Sequence, residues 1–147
     1  MNWFTLLKIV HLLSIVIWIG GMFFAYVILR PSLSVLEPPQ RIALHTQVFK
    51  RFFLIVWHAM PLTILTGLAM LFGFSGGMAN APWPVHAMLT LGLVMGAIYL
   101  ALFFGPYRQF RDAATLPLKV AALDSIRKLI GLNLVLGLLT TALGLLR

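Results

Sequence analysis

A basic residue and a histidine interrupt the first apolar segment of the chain, which reads Lys8-Ile-Val-His11-Leu-Leu-Ser14-Ile-Val-Ile-Trp18-Ile-Gly-Gly21-Met-Phe-Phe24. The other side chains of this segment are mostly soluble in hydrocarbon. An ionisable side chain is costly there, and it marks a candidate functional site when a partner can be named for it. His11 is therefore the first candidate binding residue, and its partner should lie on another segment.

The composition identifies the class of protein. Hydrophobic residues make up 61% and charged residues 10% of the 147 residues, whereas soluble domains are about half apolar and a quarter charged. Because a helical span needs about 20 residues, the chain has room for about four spans. The sequence therefore predicts an integral membrane protein formed by one domain, residues 1–147.

Four apolar segments are separated by polar or turn-rich stretches. The predicted fold is all-α, an integral membrane four-helix bundle with transmembrane helices at about residues 3–29, 52–74, 85–104 and 129–146. Arg30-Pro31 is expected to end the first helix, because proline cannot continue a helix normally. The residues before position 52 have a pattern typical of a surface helix that leads into the second span.

The basic residues predict the orientation. Of the 11 Lys and Arg residues, nine lie in the loops 30–51 and 105–128 and none lies in loop 75–84. By the positive-inside rule both basic loops face the cytoplasm, so both termini lie on the outer side. Trp3 and Trp83 then fall at the outer interface, where Trp is enriched. The net charge of +8 thus reflects topology, and no nucleic-acid partner is expected.

Helical rise gives the depth of the histidines. With about 1.5 Å per residue and a core of about 30 Å, His11 and His86 lie at the same level, roughly one turn below the outer surface. His58 falls about 10 Å from the inner surface by the same rise, and a structural role bonding a carbonyl near Pro61 is favoured for it. His45 lies in the inner loop and should be solvated.

Two interpretations of the His11 and His86 pair stay open. In the first, they are buried histidines whose hydrogen-bonding groups are paired with hydroxyl or backbone groups. In the second, they are ligands of a metal or haem. Because the chain has no cysteine, a soft-metal site must use His and Met. Lys8 is either a side chain that reaches the interface or a partner for an anion. The methionines that map to the outer third are Met70, Met78 and Met88.

Small and polar residues recur at helical spacing on two spans, at His11, Ser14, Trp18, Gly21 and Ala25, and at Asn133, Gly137, Thr140 or Thr141, and Gly144. Small residues at such spacings let membrane helices approach closely. Both stripes should therefore face the interior of the bundle.

Several motifs together resemble a known family. They are Lys8-x-x-His11-x6-Trp18-x-x-Gly21-x-Phe23, Leu29-Arg30-Pro31, Arg51-Phe-Phe, Thr66-Gly67, His86-x-Met88, Ile126-Arg127 and Asn133-Leu134-x-Leu136-Gly137. The chain resembles the bacterial copper-resistance protein D family over nearly its whole length. The opening motif is also similar to that of the HemJ-type protoporphyrinogen oxidases, four-helix membrane proteins in which a histidine of the first span binds b-type haem.

The resemblance implies two functions. The first is copper binding near the outer face of the bacterial inner membrane, by His11 and His86 with Met70, Met78 or Met88, for transport or homeostasis. The second is a redox protein in which His11 and His86 are the axial ligands of haem b, with Lys8 near a propionate and Trp18 beside the cofactor. Because the chain is about half the length of longer family members, a homodimer is a candidate transporting unit.

A third interpretation is a structural membrane subunit, whose main partner is the lipid bilayer. The sequence has no carboxylate pair, no nucleophile beside a base and no phosphate-binding loop. A transport or binding protein is therefore favoured over an enzyme, with a haem-dependent oxidoreductase as the enzymatic alternative.

Overall fold

Four long helices make up the computed structural model, which describes residues 1–146. The four helices are long and apolar enough to cross a membrane, and no strand occurs among these residues. The predicted all-α fold with four candidate transmembrane helices is thus confirmed. They are called spans 1 to 4 and cover Trp3–Val35, Pro38–Gly73, Trp83–Asp112 and Leu116–Leu146.

Spans 1 and 3 each change helix type near their ends. Span 1 consists of α1 (Trp3–Phe23), a π-helix (Phe24–Leu29), α2 (Arg30–Ser32) and a 3-10 turn (Leu33–Val35). Span 2 is the single helix α3 (Pro38–Gly73), followed by a 3-10 turn (Met78–Asn80). Span 3 consists of α4 (Trp83–Leu102), a π-helix (Phe103–Tyr107) and α5 (Arg108–Asp112), and span 4 of α6 (Leu116–Leu143) and a 3-10 turn (Gly144–Leu146).

The helix of span 1 continues past the point where Arg30-Pro31 was expected to end it. Pro31 lies within α2, directly after the π-helix Phe24–Leu29. A proline ring normally clashes with the carbonyl four residues earlier, and a preceding π-helical segment changes the position of that carbonyl. Pro106 lies inside the second π-helix itself, and that helix also continues past the proline.

The predicted surface helix before span 2 is part of one continuous helix with it. Glu37 caps α3 through a capping box, in which the Gln40 side chain accepts a hydrogen bond of 3.1 Å from the Glu37 backbone N–H. Such a box satisfies donors that would otherwise lack partners at the start of a helix. Residues 38–51 therefore extend the helix at the end where most basic residues lie.

The spans form two closely packed antiparallel pairs, span 1 with span 2 and span 3 with span 4. Contacts of span 1 with span 4 and of span 2 with span 3 close a ring in which spans 1 and 3 are diagonal. One end of this bundle holds Trp3, the turn 74–82 and Leu146, and we call it the terminal end. The other holds the connections 36–37 and 113–115, and we call it the basic end.

The small-residue stripes face the bundle interior, as predicted. Ser14 and Trp18 are buried. A methyl group built on Gly137 would lie 3.0 Å from Ile19 Cγ1 and 3.1 Å from Met95 Cε, and one on Gly21 would lie 3.2 Å from the Phe52 ring. Side chains at these two glycines would therefore hold neighbouring spans apart.

The orientation of the bundle in the membrane remains a prediction from the basic loops. We expect a cysteine at Ala79 to react in intact cells with a membrane-impermeant thiol reagent, and a cysteine at Ala114 to react only after lysis. Both alanines are exposed and lie at opposite ends of the bundle, so the two Ala→Cys variants are matched. The reverse labelling would contradict the positive-inside assignment. It would place the end of the bundle that holds His11 on the cytoplasmic side.

Candidate functional site

His11 reaches from span 1 onto span 2 at Thr66 and Gly67. Its Nδ1 lies 2.9 Å from the Thr66 hydroxyl oxygen. A methyl group built on Gly67 would lie 3.1 Å from His11 Cε1. The absence of a side chain at Gly67 therefore makes room for the imidazole directly against the α3 backbone.

The hydrogen bonds of Thr66 favour one tautomer of His11. The Thr66 hydroxyl donates its single proton to the Leu62 carbonyl at 2.5 Å, with the Thr63 carbonyl at 3.2 Å. With the Thr66 proton directed to the Leu62 carbonyl, its oxygen is the acceptor for His11, which corresponds to the neutral tautomer with the proton on Nδ1. The lone pair is on Nε2, the arrangement found where a histidine binds a metal and donates its other ring N–H to an oxygen.

Other predicted site residues lie at the same end of spans 1 and 2. Met70 is one helical turn beyond Thr66 on α3 and is half-buried, and Lys8 is one turn from His11 on α1 and is exposed. Because spans 1 and 2 are antiparallel, both positions lie toward the terminal end from the His11–Thr66 contact. Met78 is exposed in the turn Met78–Asn80.

His86 and Met88 lie in the first turns of α4, also toward the terminal end. His86 is half-buried, and its backbone carbonyl accepts a hydrogen bond of 2.9 Å from the Thr90 hydroxyl. Met88 packs toward span 4, because its sulfur lies 3.4 Å from a methyl group built on Gly144. The structure thus places the two predicted histidine ligands at the same end of the bundle, on the diagonal spans 1 and 3.

Trp18 lies deeper, about two turns from His11. It is 2% exposed and belongs to the hydrophobic core that includes Met22 and Phe53. Its predicted role beside a cofactor remains a prediction.

The prediction that His45 is solvated is wrong. Its side chain is buried, its Nδ1 lies 3.0 Å from the Arg41 carbonyl, and its ring centroid is 5.2 Å from that of Phe49. The reason is that residues 38–51 continue the helix of span 2 and pack in the bundle. His45 is therefore a residue of the basic end, far from the His11 level.

His58 bonds within its own helix. Its Nδ1 lies 2.8 Å from the Leu54 carbonyl, and the residue is exposed. Pro61 removes the N–H that would bond the Trp57 carbonyl, so the carbonyl that His58 uses is a different one from that freed by the proline. The partner expected for His58 is corrected accordingly.

The donors at the terminal end suit a soft metal. Within residues 1–146 no group of three or more His, Cys, Asp or Glu side chains is placed to hold a metal ion. The donors that the sequence predicted there are imidazoles and thioethers, which suit Cu(I) better than a hard cation. The chemistry of this donor set fits copper.

Sequence reasoning missed two features. The first is Thr66 as the partner of His11; a hydroxyl residue followed by glycine within an apolar helix is the signal that points to it. The second is a cavity at the basic end, lined by arginines from three spans. Their separation in sequence hides the fact that they meet.

Four apolar helices and a partly buried polar contact between two of them define a multi-pass helical membrane protein. The profile of the family named copper resistance protein D matches residues 46–146 of the chain. Because this match covers more than half of the sequence, the protein belongs to the copper resistance protein D family. The match includes Thr66, Met70, His86 and Met88. No curated protein and no solved structure gives a match to the chain.

Proposed function

We propose that this protein binds Cu(I) at the terminal end of its bundle and takes part in copper transport or homeostasis. The proposed ligands are His11 and His86, with thioether donors from Met70, Met78 or Met88. The family supports a membrane protein in copper resistance. The metal, its ligands and the location in the bacterial inner membrane are parts of the proposal.

The observation that carries the proposal is the His11–Thr66 contact. In metal-binding histidines one ring nitrogen commonly donates to an oxygen of the protein while the other binds the metal. Thr66 provides this oxygen for Nδ1, and the resulting tautomer has its metal-binding lone pair at Nε2. The contact therefore orients a basic nitrogen near the terminal end, where the nearby helical turns carry the proposed methionine donors.

Met70 is the thioether best placed to join His11. It lies on the same face of α3 as Thr66, one turn further toward the terminal end, because residues four apart stand above one another on a helix. Met88 would need to turn away from Gly144 to take part. In this proposal His11 and Met70 form the core of the site, and His86 completes it from the diagonal span. A homodimer is the proposed unit for transport across the membrane.

The test is a metal analysis of the purified protein, loaded with Cu(I) under reducing conditions and also expressed with haem precursors supplied. We expect stoichiometric copper by elemental analysis and no Soret band. A Soret band that shifts on reduction, without copper, would replace the proposal by the haem alternative. Binding of neither would contradict both and leave His11 and His86 as structural histidines.

A further inference from the structure

A second candidate site lies at the opposite, basic end of the bundle. A cavity of about 490 Å³ opens there between the end of span 1, the start of span 2 and the start of span 4. Three guanidinium groups and one carboxylate line it, from Arg30, Arg41, Arg127 and Asp124. Its volume is within the range of small-molecule sites, about 300–1,000 Å³.

The arginines of this cavity are only partly neutralised. Arg127 pairs with Asp124 at 2.9 Å, but the same carboxylate also pairs with Lys128 at 3.1 Å. The Nε of Arg127 is buried and donates to no acceptor among residues 1–146. A buried donor without an acceptor is costly, so the pairing with Asp124 satisfies the Arg127 guanidinium only in part.

Arg41 is held in place by neutral groups. Its Nε donates to the Leu36 carbonyl at 2.7 Å and its Nη2 to the Ser34 carbonyl at 3.3 Å. These bonds fix the guanidinium between the end of span 1 and the start of span 2, and they leave its charge uncompensated. Arg30 is exposed at the rim and forms no ion pair within the described part of the chain.

Most of the other lining side chains of the cavity are apolar, with Ser34 and His45 as polar exceptions. The apolar side chains belong mostly to spans 1 and 4, among them Ala25, Leu29, Leu123, Ile126 and Ile130. The span 1 side includes the π-helix Phe24–Leu29, and π-helical segments often occur at functional sites. The Tyr26 ring packs against the backbone of span 4, since a methyl group on Gly131 would lie 2.8 Å from it.

We propose that this cavity binds an anionic phospholipid, with the phosphate among Arg30, Arg41 and Arg127 and an acyl chain along the apolar walls. The positive charge of these arginines favours an anionic ligand, because guanidinium groups bind phosphate by paired, charge-assisted hydrogen bonds. The apolar walls select a ligand with a hydrocarbon part, so a lipid fits better than a free phosphate. Basic pockets between helices on the cytoplasmic side of a membrane are typical sites for such head groups. The inference is independent of the copper proposal.

The test is native mass spectrometry of the delipidated full-length protein in a neutral detergent. The probes are phosphatidylglycerol, phosphatidylcholine with the same acyl chains, and inorganic phosphate. We expect phosphatidylglycerol to bind about tenfold more tightly than phosphatidylcholine. Both lipids carry the phosphate, but the choline group adds a positive charge that the arginines of the cavity repel. Inorganic phosphate should not displace it at equal concentration.

The variants Arg30→Gln and Arg127→Lys should bring the affinity for phosphatidylglycerol close to that for phosphatidylcholine. Arg51→Gln is the matched control, because Arg51 is exposed near the same end but does not line the cavity; it should bind like the parent. Unchanged melting temperatures would show that the variants are folded. If Arg127→Lys does not fold, Arg30→Gln alone still tests the proposal. Arg30 is exposed at the rim of the cavity, so its replacement should leave the fold intact.

Three results would overturn the proposal. The first is equal affinity for the two lipids. The second is a loss in Arg51→Gln as large as in Arg30→Gln, which would indicate diffuse surface charge. The third is binding of inorganic phosphate as tight as that of phosphatidylglycerol and equally sensitive to Arg30→Gln, which would identify the ligand as a soluble anion.

Discussion

His11→Ala should abolish most copper binding, and His86→Ala should do the same, because a shared metal loses affinity when either imidazole is removed. Thr66→Val should weaken binding by about 10–100-fold, the usual cost of losing the group that orients a metal-binding histidine. The measurement is competition for Cu(I) with a chromophoric chelator, with each variant checked for folding.

Matched controls lie on span 2. Thr63→Val removes a hydroxyl that donates to the Ala59 carbonyl of its own helix, one turn from Thr66, and should leave copper binding unchanged. His58→Ala and His45→Ala remove histidines that lie away from the His11 level and should also bind like the parent. Parental binding in His11→Ala, or equal losses in Thr63→Val and Thr66→Val, would contradict the proposed site.

Gly137→Leu should strongly destabilise the bundle. Even a methyl group at this position would lie 3.0 Å from Ile19 and 3.1 Å from Met95, so a leucine must push spans 1 and 3 away from span 4. Overpacking a close-packed interior typically costs about 1–3 kcal/mol, occasionally more. The expected signs are a lower melting temperature in detergent and a lower folded yield.

Gly92→Leu is the control, because no atom lies within 4 Å of a methyl group built on Gly92. It should melt close to the parent. Gly21→Leu should have an intermediate effect, since a methyl group there meets one side chain, Phe52, at 3.2 Å, whereas one at Gly137 meets side chains of two spans at 3.0 and 3.1 Å. Equal melting of the Gly137 and Gly92 variants would show that the span 4 interface is not closely packed.

Part of the site could be predicted from the sequence. The inward orientation of the stripe with Ser14 and Trp18 followed from helical spacing and is confirmed by their burial. The family was also recognised correctly from the motifs. The partner of His11 could not be predicted, because the rotation of span 2 about its own axis decides whether Thr66 or another hydroxyl faces span 1.

The errors have a common physical cause. Pro31 and His45 were interpreted from local rules, by which proline ends a helix and a histidine in a basic loop is solvated. A π-helix before Pro31 lets the helix continue, and the helix that continues from Pro38 into span 2 buries His45. The first outcome depends on the helix type just before the proline, and the second on packing between segments that are distant in the chain.

The sequence by itself determined that this protein has four apolar helices, because composition and the length of apolar runs are local properties of the chain. It also carried the family motifs and the uneven distribution of basic residues. Only the tertiary structure decided that Thr66 bonds His11 and that Arg30, Arg41 and Arg127 line one cavity. These contacts join different spans, and they depend on the rotation and vertical register of each helix against its neighbours, which no local pattern specifies.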